Sequence, residues 1–185
     1  YPRPVQGKLP LWVATGGNVE STVKIAHAGL PIVYAIIGGN PRYFKKLIQA
    51  YREIGSEAGH ADKDLKVGAH SWGWIAEDGE QAVKDYFHPT KQVVDAISKD
   101  RPHWQELRYE QYLEQVGPNG AMFVGNPDQV AEKLIRMIED LDLDRFMLHL
   151  PLGSMPHDQV LRAIELFGTQ VAPKVRAYFA MKEGL

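Results

Sequence analysis

What most limits the fold of this chain is a unit that recurs along it: an almost unbroken apolar run, a turn, and a capped helix with one apolar face. Leu9 to Thr15 lacks the polar alternation of a half-solvated strand, the pattern expected where both faces of a parallel sheet are covered. Gly16-Gly17-Asn18 ends that run, and Asn18 is a good N-cap for a helix whose stripe is Val19, Val23, Ile25 and Ala26 and which stops at Gly29. Pro31 to Ile37 is a second strand of the same kind. Gly38-Gly39-Asn40 follows it, and Pro41 opens a helix to about Ala58 at the position where its missing N–H does no harm.

Leu65 to Ala76 reads as a third strand, and Gly79 to about Ser98 as its helix, capped by Asp78. Asp100 to Ala121 breaks the rhythm: it is polar, carries Pro102, Pro118 and Gly120, and surrounds a short helix with Trp104, Leu107 and Tyr112. This stretch, near residues 100–121, is read as an insertion that serves as a lid. A helix from Asn126-Pro127 then leads to a fourth strand, Arg145 to Leu150, and a last helix starts at Pro156, with Pro173 placed to interrupt it.

Strand and helix thus alternate four times without a hairpin signal, which implies parallel strands and right-handed crossovers. Four such units are half of a (β/α)8 barrel, and the fold class expected is α/β, the C-terminal half of a TIM barrel. An open four-stranded parallel sheet is the competing architecture, since a half-barrel leaves two apolar strand edges unpaired.

Composition removes several classes of function. The 21 basic and 23 acidic residues form no block of either sign, which argues against nucleic acid or a membrane surface as partner. The absence of cysteine excludes a disulfide framework, a thiolate zinc site and a cysteine nucleophile, and a cytoplasmic home is expected. No run is long enough to cross a bilayer, and no signal peptide is recognisable. The 185 residues, 44% apolar, fit one ordinary domain; the start at Tyr1 rather than Met reads as a processed or truncated product.

In either architecture ligands bind where the strands end at their carboxyl side, in the turns after Thr15, Ile37, Ala76 and Leu150. Gly16, Gly17 and Asn18 allow a ligand close to the backbone, the following helix start offers N–H groups to a phosphate, and Ser21 and Thr22 add hydroxyls. Good turn and cap chemistry accounts for the same three residues without a ligand. Alternation in the last strand turns Phe146 and Leu148 toward the helices and Met147 and His149 into the barrel, which makes His149 a catalytic candidate; His70 is the second, in a third strand whose two alternating sets both contain small and polar residues and so leave its face open. No histidine pair or carboxylate cluster has metal-ligand spacing, and no metal is expected. Ala69-His70-Ser71-Trp72-Gly73 resembles a nucleophile elbow, which keeps an α/β-hydrolase with Ser71 as nucleophile, and Asp144 or Asp158 as a partner, as a remote alternative.

Longer stretches carry a more specific likeness. Trp12-Val-Ala-Thr-Gly-Gly-Asn-Val-Glu-Ser21 with Ile25-Ala-His-Ala-Gly-Leu-Pro31 resembles the fifth strand and helix of bacterial luciferase-like flavin monooxygenases, and Pro2-Arg-Pro-Val-Gln6 resembles the segment before them. The likeness continues through Tyr51-Arg-Glu, Val124-Gly-Asn-Pro-Asp-Gln-Val130, Arg145-Phe-Met-Leu-His149 and Ile164-Glu-Leu-Phe167. It implies that Gly16, Gly17, Asn18, Ser21 and Thr22 hold the phosphate of FMN. It also implies that the intact protein uses reduced FMN and O2 on a small organic substrate, with a deazaflavin, F420, as the alternative cofactor. A separate NAD(P)H-dependent flavin reductase would supply the reduced flavin. Nothing in the sequence corresponds to the first four units of that family. The expected partner is therefore an N-terminal half of the barrel or a second copy, and the non-catalytic alternative is a flavin-binding or partner-docking fragment.

Overall fold

A computed structural model describes residues 2–7, 9–101, 104–182 and 184; Tyr1 and Pro102 lie outside the described residues. The four expected strands form as β1 (Val13–Thr15), β2 (Ile32–Ala35), β3 (Val67–Ile75) and β5 (Arg145–His149), and a fifth, β4 (Phe123–Gly125), joins them. Every pairing is parallel. β1 pairs β2 from Val13↔Ile32, β2 pairs β3 from Ile32↔Val67, and β5 takes the opposite edge of β3 from Gly68↔Arg145 to Trp72↔His149. Where β5 ends, β4 takes over with Gly73↔Phe123 to Ile75↔Gly125.

β4 corrects the expectation of four strands. It is too short to show a period, and it exists because β3 runs three residues past its last pairing with β5, at Trp72, offering backbone groups that need partners. β1 is shorter than Leu9 to Thr15 because its one neighbour, β2, starts its ladder at Ile32; Val13 N–H still donates to the Pro31 carbonyl at 2.9 Å, while Leu9 and Leu11 are left exposed.

Helices α1 (Val19–His27) and α2 (Lys45–Glu57, entered through a 3-10 turn at Pro41–Phe44) cover one face of the sheet, burying Ile32, Tyr34, Val67 and Ala69. The expected caps form. Asn18 Oδ1 accepts from Ser21 N–H at 2.9 Å, and Asp78 accepts from Glu80 N–H at 2.9 Å to start α3 (Gly79–Asp100). At the head of α5 (Pro127–Leu141), Asn126 and Gln129 each accept the other's backbone N–H. Pro173 does not break the last helix as expected. A π turn at Phe167–Val171 joins α6 (His157–Leu166) to α7 (Ala172–Lys182), and the wider register absorbs the missing N–H of Pro173.

The chain between α3 and α5 contains α4 (Tyr109–Val116) and is tied down by a buried cation. Lys133 of α5 donates to the carbonyls of Gln115, Val116, Gly117 and Met122 at 2.6 to 3.4 Å, capping the end of α4 and fixing the approach to β4. Burial pushes its amine down to about 7, against the pull of those carbonyl dipoles toward the charged form.

Gly73 pairs with Phe123 at the start of the β3–β4 ladder, and a β-carbon there would lie against the Phe123 carbonyl oxygen and the Leu148 side chain. Gly73→Val is therefore expected to cost about 2 kcal/mol or more, read as a lower urea midpoint with an unchanged denaturant slope. A loss below about 0.5 kcal/mol would contradict the tight β3–β4 packing.

Candidate functional site

Because all strands run the same way, the turns that follow them open on one rim. At β1 that turn is Gly16-Gly17-Asn18. Gly16 is exposed, and beyond its own chain neighbours no atom of the chain lies within 4 Å of where its β-carbon would be, so the space beside it is open. Gly17 has φ +95°, the left-handed region, and a β-carbon would stand 2.8 Å from the Phe44 ring, so two separate constraints require glycine. Asn18 uses its side chain on Ser21 N–H, which leaves the backbone N–H groups of Val19 and Glu20 as the first-turn donors without a partner inside the helix. The Glu20 carboxylate in this turn is drawn to Lys24, 2.6 Å away.

The two hydroxyls expected to serve this turn differ. Ser21 is half-buried at the turn. Thr22 is turned inward: it is 1% exposed, and its Oγ1 lies 3.0 Å from the Asn18 carbonyl and 3.2 Å from Tyr34 Oη. A hydroxyl has one proton to give, and these neighbours use it, so Thr22 supports the cap from beneath rather than reaching a ligand. Burial pushes the Tyr34 phenol up to about 12, so it stays protonated in this pair.

The second group stands on the sheet face turned away from α1 and α2. His70 and His149 lie side by side with ring centroids 5.6 Å apart, His149 on the side that the alternation in β5 predicts and His70 on the side the sequence left open. Met147, in register with His70, is 37% exposed on the same face, while Phe146 and Leu148 pack against the core. His70 pairs with Ala35, one step beyond the Tyr34–Thr15 pair, which sets it at the level where the Gly16 turn begins. Burial first, and His149 second, hold its imidazole below the usual histidine range. Among the described residues no group of three or more His, Cys, Asp or Glu could hold a metal ion. No helix there is long and apolar enough to cross a membrane.

Ser71 does not fit a nucleophile elbow. It lies inside β3 rather than at a strand-to-helix turn, is fully buried, and donates to the Ile36 carbonyl at 2.9 Å. Asp144 is spent at the opposite end of the strand, accepting from Val67 N–H at 2.8 Å. The hydrolase alternative falls on that geometry. Two residues at the rim were not singled out from sequence as site residues: Phe44, whose contact with Gly17 spans α1 and β2, and Trp72, which the period of two from His70 places on the histidine face.

Solved structures agree on the architecture. The monooxygenase RslO1 from Streptomyces bottropensis superposes with a TM-score of 0.73 at 19% identity, covering 91% of this chain and 49% of that one. The oxygenating constituent of 3,6-diketocamphane monooxygenase from Pseudomonas putida, solved with FMN, gives 0.62 at 18% identity, covering 93% and 50%. The coenzyme F420 dependent tetrahydromethanopterin reductase from Methanopyrus kandleri gives 0.60 at 17%, covering 89% and 50%. The chain thus spans about half the length of these relatives, and its fold is an α/β half of a luciferase-like TIM barrel. No curated protein matches its sequence. Residues 1–144 match the family described as luciferase-like monooxygenase, and on that match over most of its length the chain belongs to the luciferase-like monooxygenase family.

Proposed function

We propose that this chain is the C-terminal half of a barrel that oxidises a small organic substrate with reduced FMN and O2, and that the turn from Gly16 to Ser21 holds the FMN phosphate. The observation that carries the reading is the free space beside Gly16 at the start of α1. A phosphate there meets the Val19 and Glu20 amides, the positive end of the helix and the Ser21 hydroxyl. The residues fit a phosphate group, with Glu20 the one opposing charge and Lys24 drawing it aside.

When bound, the flavin supplies the two electrons with which one oxygen atom of O2 enters the substrate and the other leaves as water. The chain's own residues position and shield. The histidine face stands toward the substrate, where the neutral imidazole of His70 has a ring nitrogen able to accept a proton, and His149 shares that face. A separate NAD(P)H-dependent reductase delivers the reduced flavin.

Two edges limit what the chain does alone. β1 pairs only β2, and β5 only β3, among the described residues, and Leu9, Leu11, Leu161 and Ile164 are exposed. Closing the sheet requires further strands, from an N-terminal half or a second copy, and the isolated chain is expected to be inactive. Two of the solved relatives are F420-dependent, which makes F420 the companion ligand to titrate.

In the assembled barrel, Gly16→Leu puts an apolar side chain into the anion space, where its β-carbon clashes with nothing in this chain, and is expected to weaken FMN binding roughly a hundredfold by visible absorbance titration, and Ser21→Ala by roughly fivefold. Unchanged affinity in both rejects the site. For His70 the sign of the pH effect is fixed: its folded pKa lies below its unfolded value of about 6.5, so between the two the unfolded chain binds more protons. Its contribution to stability is therefore present above about pH 6.5 and is lost as pH falls through the folded pKa. Melting curves of wild type and His70→Asn are expected to converge on acidification, and a parallel offset at all pH values would contradict a half-buried, neutral His70.

A further inference from the structure

Trp72 sits on the histidine face of β3, opposite His149 in register, yet it is only 5% exposed where its neighbour Met147 is 37% exposed. Trp104 packs beside it, its ring centroid 6.3 Å away at 49°. Trp104 lies between α3 and α4, and three residues further on Leu107 is gripped by an ion pair of α3. Asp95 of α3 accepts from Leu107 N–H at 2.8 Å, Lys91 donates to the Leu107 carbonyl at 3.0 Å, and Lys91 and Asp95 are themselves 2.7 Å apart. Both polar groups of one peptide residue are thus gripped by adjacent turns of a helix, and Leu107 itself is buried. The middle of α3 runs along the same rim: a β-carbon on Gly153, just past β5, would stand 3.2 Å from the Pro89 carbonyl and from Gln92.

We infer that Trp104 is a wall of the substrate pocket, set in place by the Lys91–Asp95 grip on Leu107, and that the pocket takes a flat apolar molecule bearing one hydrogen-bonding group. This rests on the reading above that the histidine face is the substrate side. The half-buried Trp104 indole, backed by Trp72, and the Met147 thioether offer apolar and aromatic contact, and the His70–His149 pair supplies a polar edge to fix orientation. Trp104 acts by contact with the substrate; Lys91 and Asp95 are positioning residues that act through it.

Indole is a suitable probe, being flat, apolar and a single N–H donor. In the assembled barrel, Trp104→Ala is expected to weaken indole binding roughly tenfold and Trp104→Phe by no more than about twofold. Asp95→Asn is expected to weaken it by roughly threefold while raising the hydrogen-exchange rate of the Leu107 amide. FMN affinity stays within about twofold of wild type in all three, because its phosphate is held elsewhere on the rim. The inference is overturned if wild type does not bind indole, if Trp104→Ala binds it as well as wild type, or if FMN and indole weaken together, which would mark Trp104 as part of the general fold. If indole binding follows Trp104 but FMN fails to bind wild type, the wall stands and the FMN assignment falls.

Discussion

The backbone ladder of β3 is the interaction on which the rest of this structure depends. Its nine residues pair with β2 on one edge and β5 on the other, and its end pairs with β4, always in parallel. Parallel pairing sends every following turn to one rim and every helix back across a face. The glycine turn after β1 and the two histidines therefore share an end of the sheet although they lie far apart along the chain. The same ladder fixes side: one register step in β3 would turn His70 and Trp72 toward the helices and bring Ser71 to the open face.

The second constraint is what the ladder leaves unfinished. β1 and β5 each present an unpaired edge among the described residues, and the face between them carries Met147 and His149 without cover. An exposed apolar edge is a liability that natural sheets seldom keep, so closure by further strands is the physical expectation. The proposed oxidation follows the same logic, because a reduced flavin would have to be shielded from water and this chain supplies walls on only some sides.

Much of this was legible in the sequence because it rests on short-range rules. Asn18, Asp78 and Asn126 cap the helices they precede, and the alternation of Arg145 to His149 gives the facing of Met147 and His149 correctly. What escaped depends on distant partners. β4 is three residues with no period of its own, formed because β3 outruns β5. Thr22 reads as a surface donor until Tyr34 closes over it, and the Leu107 grip joins residues 12 and 16 positions apart. Pro173 misled because a π turn two residues earlier had already changed the hydrogen-bond register.

The central claim is that an anionic cofactor tail sits on the first turn of α1 at the carboxyl rim. Amide chemical shifts of the assembled, 15N-labelled barrel during FMN titration test it most directly. The account predicts saturable shifts at Gly17, Val19, Glu20 and Ser21, with none at Lys63 and Lys66 at the opposite end of the sheet. Saturable binding that moves Lys63 and Lys66 but leaves Val19 and Glu20 in place would contradict it.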